Sequence, residues 1–296
     1  MTQFLSLLLN GISLGAMYAL IALGFVVIFK SSEVVSFMHG SLLLLGAYSI
    51  ARLQEPFGFW GGVVAGIVVT AVVALLVDRV LLSRMRGAAV ISLAILTIGV
   101  DILLSTELKR RIGSDILNIH HPWGGNVVHI GSVGITANRA IAIGVAAVCI
   151  GLFFLAFKYS SWGVAMRAAA EDGEAAALMG IRLGRISAVA WIIGGTLAAI
   201  AGLFLVGSPT PGITPNVGSV ALRALPAAIL GGLDSTFGAL VGGITIGVAE
   251  SLADGYQDQL AFLGRGVGSV VPYIVMIAIL LVRPSGLFGT RELTRV

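Results

Sequence analysis

The chain has 296 residues, 57% of them hydrophobic and 11% charged, with a mean hydropathy of +1.03. A soluble domain carries about a quarter charged residues, so this composition excludes a water-soluble fold and favours helices long enough to cross about 30 Å of hydrocarbon. The net charge of +4 and pI near 9.6 do not mark a nucleic-acid binder, because the basic residues sit between apolar runs without interleaved aromatics.

The first apolar run, Phe4 to Phe29, is long enough to cross with tilt. It follows Met1-Thr2-Gln3, which lacks the basic start of a cleaved signal peptide, so the run is expected to stay as a span. After the polar break Lys30–Glu33, a less regular second element is predicted over Val34–Ile50. The third run, Trp60–Leu82, ends at Arg84 and Arg86, and the fourth covers Ala88–Leu104. A polar connection follows over 105–137, with Lys109-Arg110-Arg111 and His120-His121-Pro122. The fifth run is Ala140–Phe157. The hydrophilic segment 160–185 comes next, then a sixth run, Ile186–Val206. A Pro/Gly-rich break, Ser208–Gly218, precedes a short element over Val220–Leu233, and the last runs are Phe237–Leu252 and Val267–Val282. The prediction is one all-α polytopic domain, 1–296, of eight or nine membrane elements. Pro226 and Arg223 make Val220–Leu233 the expected broken or re-entrant helix, tolerated only against protein or a wet cavity.

Basic residues set the orientation. With the N-terminus outside and nine crossings, the cytoplasmic side holds Lys30, Arg84, Arg86, Lys158, Arg167, Arg182, Arg185, Arg283, Arg291 and Arg295, with Arg79 just inside a span. The outer side holds Arg52, Lys109, Arg110, Arg111, Arg139 and Arg265. Segment 160–185 is then cytoplasmic and the connection 105–137 extracytoplasmic, Lys109–Arg111 being the exception to the bias. Forty glycines are about twice the usual share. Gly11 with Gly15, Gly238 with Gly242, and Gly243 with Gly247 have the four-residue spacing that lets membrane helices pack closely.

No lysine follows a glycine, so a P-loop is excluded. No HExxH or G-x-S-x-G pattern appears either, and the chain is read as a non-enzyme. The lone Cys149 and the loop histidines suggest no metal site. Charges at membrane depth usually face a pathway or each other. The pathway candidates are therefore Asp101, Arg223 and Glu250, with His39 read mainly as structural. Pairing of Arg223 with Glu250 or Asp101 is the alternative to a direct pathway role.

The segment Trp162–Ile186 is the sharpest signal. Its alanines and glutamates favour helix, and Gly173 and Gly180 predict two short helices around a turn. Charges of both signs suit docking to a protein. Here the chain resembles permease subunits of ATP-binding-cassette importers, in particular the H-type permeases of the branched-chain amino-acid family. Glu174-Ala175-Ala176 with Gly180, led in by Arg167 and Glu171, looks like that family's motif for coupling to its ATPase. Asn10-Gly11 through Leu23-Gly24 is similar to its first span. Gly231-Gly232 through Glu250 resembles its late glycine-rich signature, and Arg283–Gly289 its ending.

The resemblance implies alternating access and a bacterial inner-membrane location. Its implied partners are a homologous permease, two cytoplasmic ATPases holding ATP and magnesium, and an external solute-binding protein. Branched-chain amino acids are the implied solutes, but Ser36 and Ser41 depart from the family pattern around His39-Gly40. That leaves urea, short amides and other amino acids as alternatives. An ion-coupled transporter or channel is the rival class, with Asp101 and Glu250 as its only intramembrane acids.

Overall fold

A computed structural model describes residues 2–85, 87–113, 117–130, 133–206, 212–214, 217–259 and 266–289. The expectations that fall on Arg86, Ser208–Pro211, Arg265, Arg291 and Arg295 lie outside these residues.

Nine apolar helical segments run through the described chain. The first is α1 (Thr2–Ser32). The second and third form one hairpin, α2 (His39–Leu76), folded back at Pro56–Gly58, where Gly58 has φ +71. A side chain at Gly66 would strike Ile50, and one at Gly62 would strike Gln54, so the two arms lie antiparallel in contact. A π-helical turn (Val77–Leu81) and a 3-10 turn (Leu82–Met85) finish the second arm. Then come α3 (Val90–Ile112) and, after the polar connection and a small hairpin of β1 (Val127–Ile130) with β2 (Val133–Thr136), α4 (Ala137–Tyr159). Two short helices, α5 (Ser161–Glu171) and α6 (Gly173–Leu178), lead to α7 (Leu183–Val206). The chain ends with α8 (Val220–Gly231), α9 (Thr236–Gly255) and α10 (Val271–Val282). Among the described residues, six helices, counting the α2 hairpin and its extension to Met85 as one 47-residue stretch, are long and apolar enough to cross a membrane. At 12 residues, α8 rises about 18 Å and spans only part of that depth.

Two differences from the sequence reading have local causes. The second element begins at His39 rather than Val34, because residues 33–38 run non-helically from the end of α1. Helix α3 continues to Ile112, so Lys109–Arg111 form its last turn, where cations meet the negative end of the helix dipole. Glu107 binds Arg110 at 2.8 Å and Arg111 at 2.6 Å. Part of the anomalous positive charge is thereby offset on the spot.

Side-chain contacts sort the helix ends into two faces. At the Lys30 face, Lys30 donates to the Asp234 carbonyl between α8 and α9 (2.8 Å) and lies 5.8 Å from the Phe157 ring of α4. There too, Ser187 of α7 donates to Asp78 at 2.5 Å. At the N-terminal face, Arg139 donates to Asn10, and Asn138 donates to the Phe204 carbonyl (3.2 Å). Gln54, near the α2 hairpin tip, donates to the Asn118 carbonyl (2.8 Å).

The core is centred on α1, much of which is fully buried, with α7 and the first arm of α2 against it. Close approach explains the glycines. A Cβ on Gly247 would sit 2.2 Å from the Gly15 nitrogen, and one on Gly242 would sit 2.1 Å from the Ala227 carbonyl. One side of α9 (Gly243, Gly247) therefore meets Gly15 and neighbouring residues of α1, and another (Gly238, Gly242) meets α8. In contrast, α3 and α4 carry exposed residues such as Ile91, Leu103, Val148 and Leu152, the apolar coat expected toward lipid.

Candidate functional site

Burying a charge among apolar helices is costly unless it is paired. Glu250 is 2% exposed, and its two oxygens are each engaged. The Tyr18 hydroxyl of α1 donates at 2.6 Å, and Arg223 Nη1 of α8 donates at 2.8 Å. A buried tyrosine needs a partner for its hydroxyl, so three helices are tied at one carboxylate. Glu250 and Arg223 face a cavity of about 580 Å³ that opens among α1, α4, α7, α8 and α9. Its apolar wall includes Leu14, Met17 and Phe204, and its polar groups include Asn10, Arg139 and Asp254. That size and mixture suit a small solute. Arg139 and Asn10 place the cavity toward the N-terminal face.

The other two pathway candidates lie elsewhere. Asp101 accepts a bond from the Ser41 backbone N–H at 3.0 Å, and Thr97 accepts one from Phe37 N–H at 3.1 Å. Helix α3 thus satisfies the free amides at the start of α2, which α2 has no side chain of its own to cap. Beside this start, Gly40 packs on Gly218, so the broken entries to α2 and α8 touch. His39 is fully buried, stacked on Phe25 with ring centroids 4.1 Å apart, and fits because Gly24 has no side chain. Neither residue lines the cavity.

The segment after α4 forms a compact projection at the Lys30 face. Ser160 caps α5 by accepting from Gly163 N–H (3.0 Å), and Asp172 caps α6 by accepting from Ala175 N–H (2.9 Å). The break between the helices thus falls at Asp172. Gly180, with φ +87, closes α6: Ile181 N–H reaches the Ala176 carbonyl and Gly180 N–H the Ala177 carbonyl, both at 3.0 Å. This is the double-bonded C-terminal turn that favours glycine. Ala176 faces inward, whereas Glu171, Glu174 and Ala175 are exposed. At the tip, Leu178 and Met179 are 88% and 85% exposed. Arg167 turns back, donating to the Phe157 and Lys158 carbonyls that end α4 and stacking 5.2 Å from the Phe157 ring. It positions the projection rather than extending from it.

Residues 283–289 form a strap. Leu287 N–H binds the Leu230 carbonyl at 2.8 Å, and Phe288 N–H the Gly231 carbonyl at 3.1 Å. These bonds satisfy groups left free where α8 stops.

The sequence reading missed two functional-looking residues. Tyr18 carried a signal, a lone phenol within an apolar run. Asp78 is 1% exposed but stands next to Arg79 at the end of a run, where it reads as an interfacial charge.

A polytopic bundle with broken mid-bundle helices, a polar-lined cavity and a capped projection defines a membrane permease. The family described as the branched-chain amino acid transport system permease component matches residues 7–280, and the chain belongs to it. The high-affinity branched-chain amino acid transport system permease protein LivH of Escherichia coli K12 is 31% identical, over 99% of this chain and 98% of LivH. Pseudomonas aeruginosa BraD, a permease protein of the same description, is 31% identical over 99% and 98%. A probable LivH of Methanocaldococcus jannaschii is 31% identical over 91% and 88%. The chain is therefore a multi-pass transport component.

Proposed function

We infer that this permease carries branched-chain amino acids inward across a bacterial inner membrane, driven by ATP that partner subunits hydrolyse. The Lys30 face is cytoplasmic, and two ATPases dock there, on this chain and on a homologous permease. A solute-binding protein delivers to the N-terminal face. The cavity beside Arg223 and Glu250 receives the solute, offering both signs of charge to a zwitterion and Leu14, Met17 and Phe204 to its side chain.

The observation that carries this reading is the exposed Leu178–Met179 tip. Two large apolar side chains held in water on a doubly capped helix are costly for a lone subunit and suit a partner's pocket. Closure of the ATPases then moves the projection, and Arg167 on the end of α4 passes that motion to the bundle. The test is Glu174→Arg in the assembled transporter. Solute-stimulated ATP hydrolysis and uptake should be lost with membrane insertion intact; normal values for both would remove the coupling role.

A further inference from the structure

Among the described residues, four with charged side chains line the cavity beside Glu250: Arg139, Arg223, Glu250 and Asp254. Three of them are engaged. Arg139 donates to Asn10, and Arg223 and Glu250 form the pair that Tyr18 completes. Asp254 differs, because its carboxylate accepts no hydrogen bond and joins no ion pair among the described residues. It follows Glu250 by four residues on α9, which puts it on the same helical face and about 6 Å closer to the N-terminal face. Glu250 is 2% exposed, whereas Asp254 is open to the cavity mouth. The 3-10 turn at Val267–Ser269 backs this carboxylate. A Cβ on Gly268 would fall 1.8 Å from Asp254 Oδ1, so the missing side chain leaves the carboxylate its place.

An amino acid brings an ammonium group that loses hydration when it enters a cavity and needs an acceptor there. Glu250 is closed to it, since both oxygens are engaged and the carboxylate is shielded. We propose that Asp254 receives the solute's ammonium group at the cavity mouth, and that Glu250 holds Arg223 in place without touching the solute. The solute's carboxylate points inward, toward the partly exposed Arg223. Its aliphatic body lies against Leu14, Met17 and Phe204. This assignment rests on the solute proposed above and adds to it the residue that selects for an α-amino group. Urea, short amides and carboxylates without an ammonium bring no cation to Asp254, and the cavity holds them less tightly.

The experiment titrates two ligands into the purified full chain in lipid nanodiscs. One is L-leucine; the other is 4-methylpentanoate, which has the same carbon skeleton and carboxylate but no ammonium. Saturable leucine binding is expected, weakened about tenfold or more by Asp254→Asn, while 4-methylpentanoate binds that variant at least as tightly as the unaltered chain. Gly268→Ala, which pushes a methyl group into the carboxylate, should have the same selective effect and keeps the test decisive if Asp254→Asn misfolds. Leucine affinity that both variants leave intact, equal weakening of the two ligands, or no saturable leucine binding overturns the proposal. Leucine uptake by the assembled importer is measured in parallel. Uptake without Asp254-dependent binding removes this inference alone, whereas absence of uptake by the unaltered importer removes the solute assignment.

Discussion

Arg223→Ala takes away the guanidinium that faces a carboxylate only 2% exposed. Breaking one side of a buried ion pair costs about 3–5 kcal/mol when the remaining charge is fully enclosed. Two features reduce that figure here. The Arg223 side chain is 34% exposed, so water reaches the pair from the cavity, and Tyr18 keeps its 2.6 Å bond to Glu250. The expected loss is therefore about 2–3 kcal/mol. Glu250→Gln should cost less, because an amide needs no countercharge. The double variant Arg223→Ala/Glu250→Gln should be more stable than the sum of the two losses, by about 1 kcal/mol or more. The half-buried Cys149 is the chain's one cysteine, so a thiol-reactive dye followed during heating reports unfolding directly. Strictly additive losses would refute the coupling between α8 and α9 described above.

Further predictions follow from other contacts. Gly247→Leu would drive a side chain into the Gly15 backbone, 2.2 Å from the new Cβ. It should abolish folded yield, as judged by gel filtration, while a control with open space around it, such as Gly144→Leu, does not. Asp101→Ala removes the acceptor at the start of α2 and should cost about 1 kcal/mol, read in the same heating assay, with Asp101→Asn retaining most of the stability. His121 is held below its ordinary pKa, first by burial and then by neighbouring His120, and packs on Trp123 at 5.2 Å. The unfolded state then binds more protons than the folded one, so the contribution of His121 falls as pH drops through about 6.5. Protease sensitivity of the connection should rise as pH falls from about 7.5 to 5.5, and His121→Phe should flatten that rise.

The membrane elements were legible because bilayer thickness demands apolar runs of a set length, and runs such as Phe4–Phe29 and Ile186–Val206 announce themselves. The projection was legible for a different reason. Its alanines and glutamates favour helix and Gly173 and Gly180 interrupt it, a local pattern that needs no tertiary context, whereas the caps at Ser160 and Asp172 emerge only in the structure. What composition could not show is where side chains from distant helices meet. Asp101 reads as a possible pathway acid until the structure sets it against the amide of Ser41, 60 residues away. Asp78 reads as interfacial until α7 brings Ser187 onto it. Glu250 was visible as a charge, but Tyr18, separated from it by 232 positions, was not visible as its partner.

Docking of the projection onto an ATPase is tested most directly by site-specific cross-linking. In a Cys149→Ser background, Leu178→Cys and Met179→Cys should each join this chain to the ATPase subunit in membranes. Val127→Cys, at an exposed position on β1, should not. Transport-competent membranes in which residues 178 and 179 stay unlinked, or in which residue 127 captures the ATPase instead, would contradict the account.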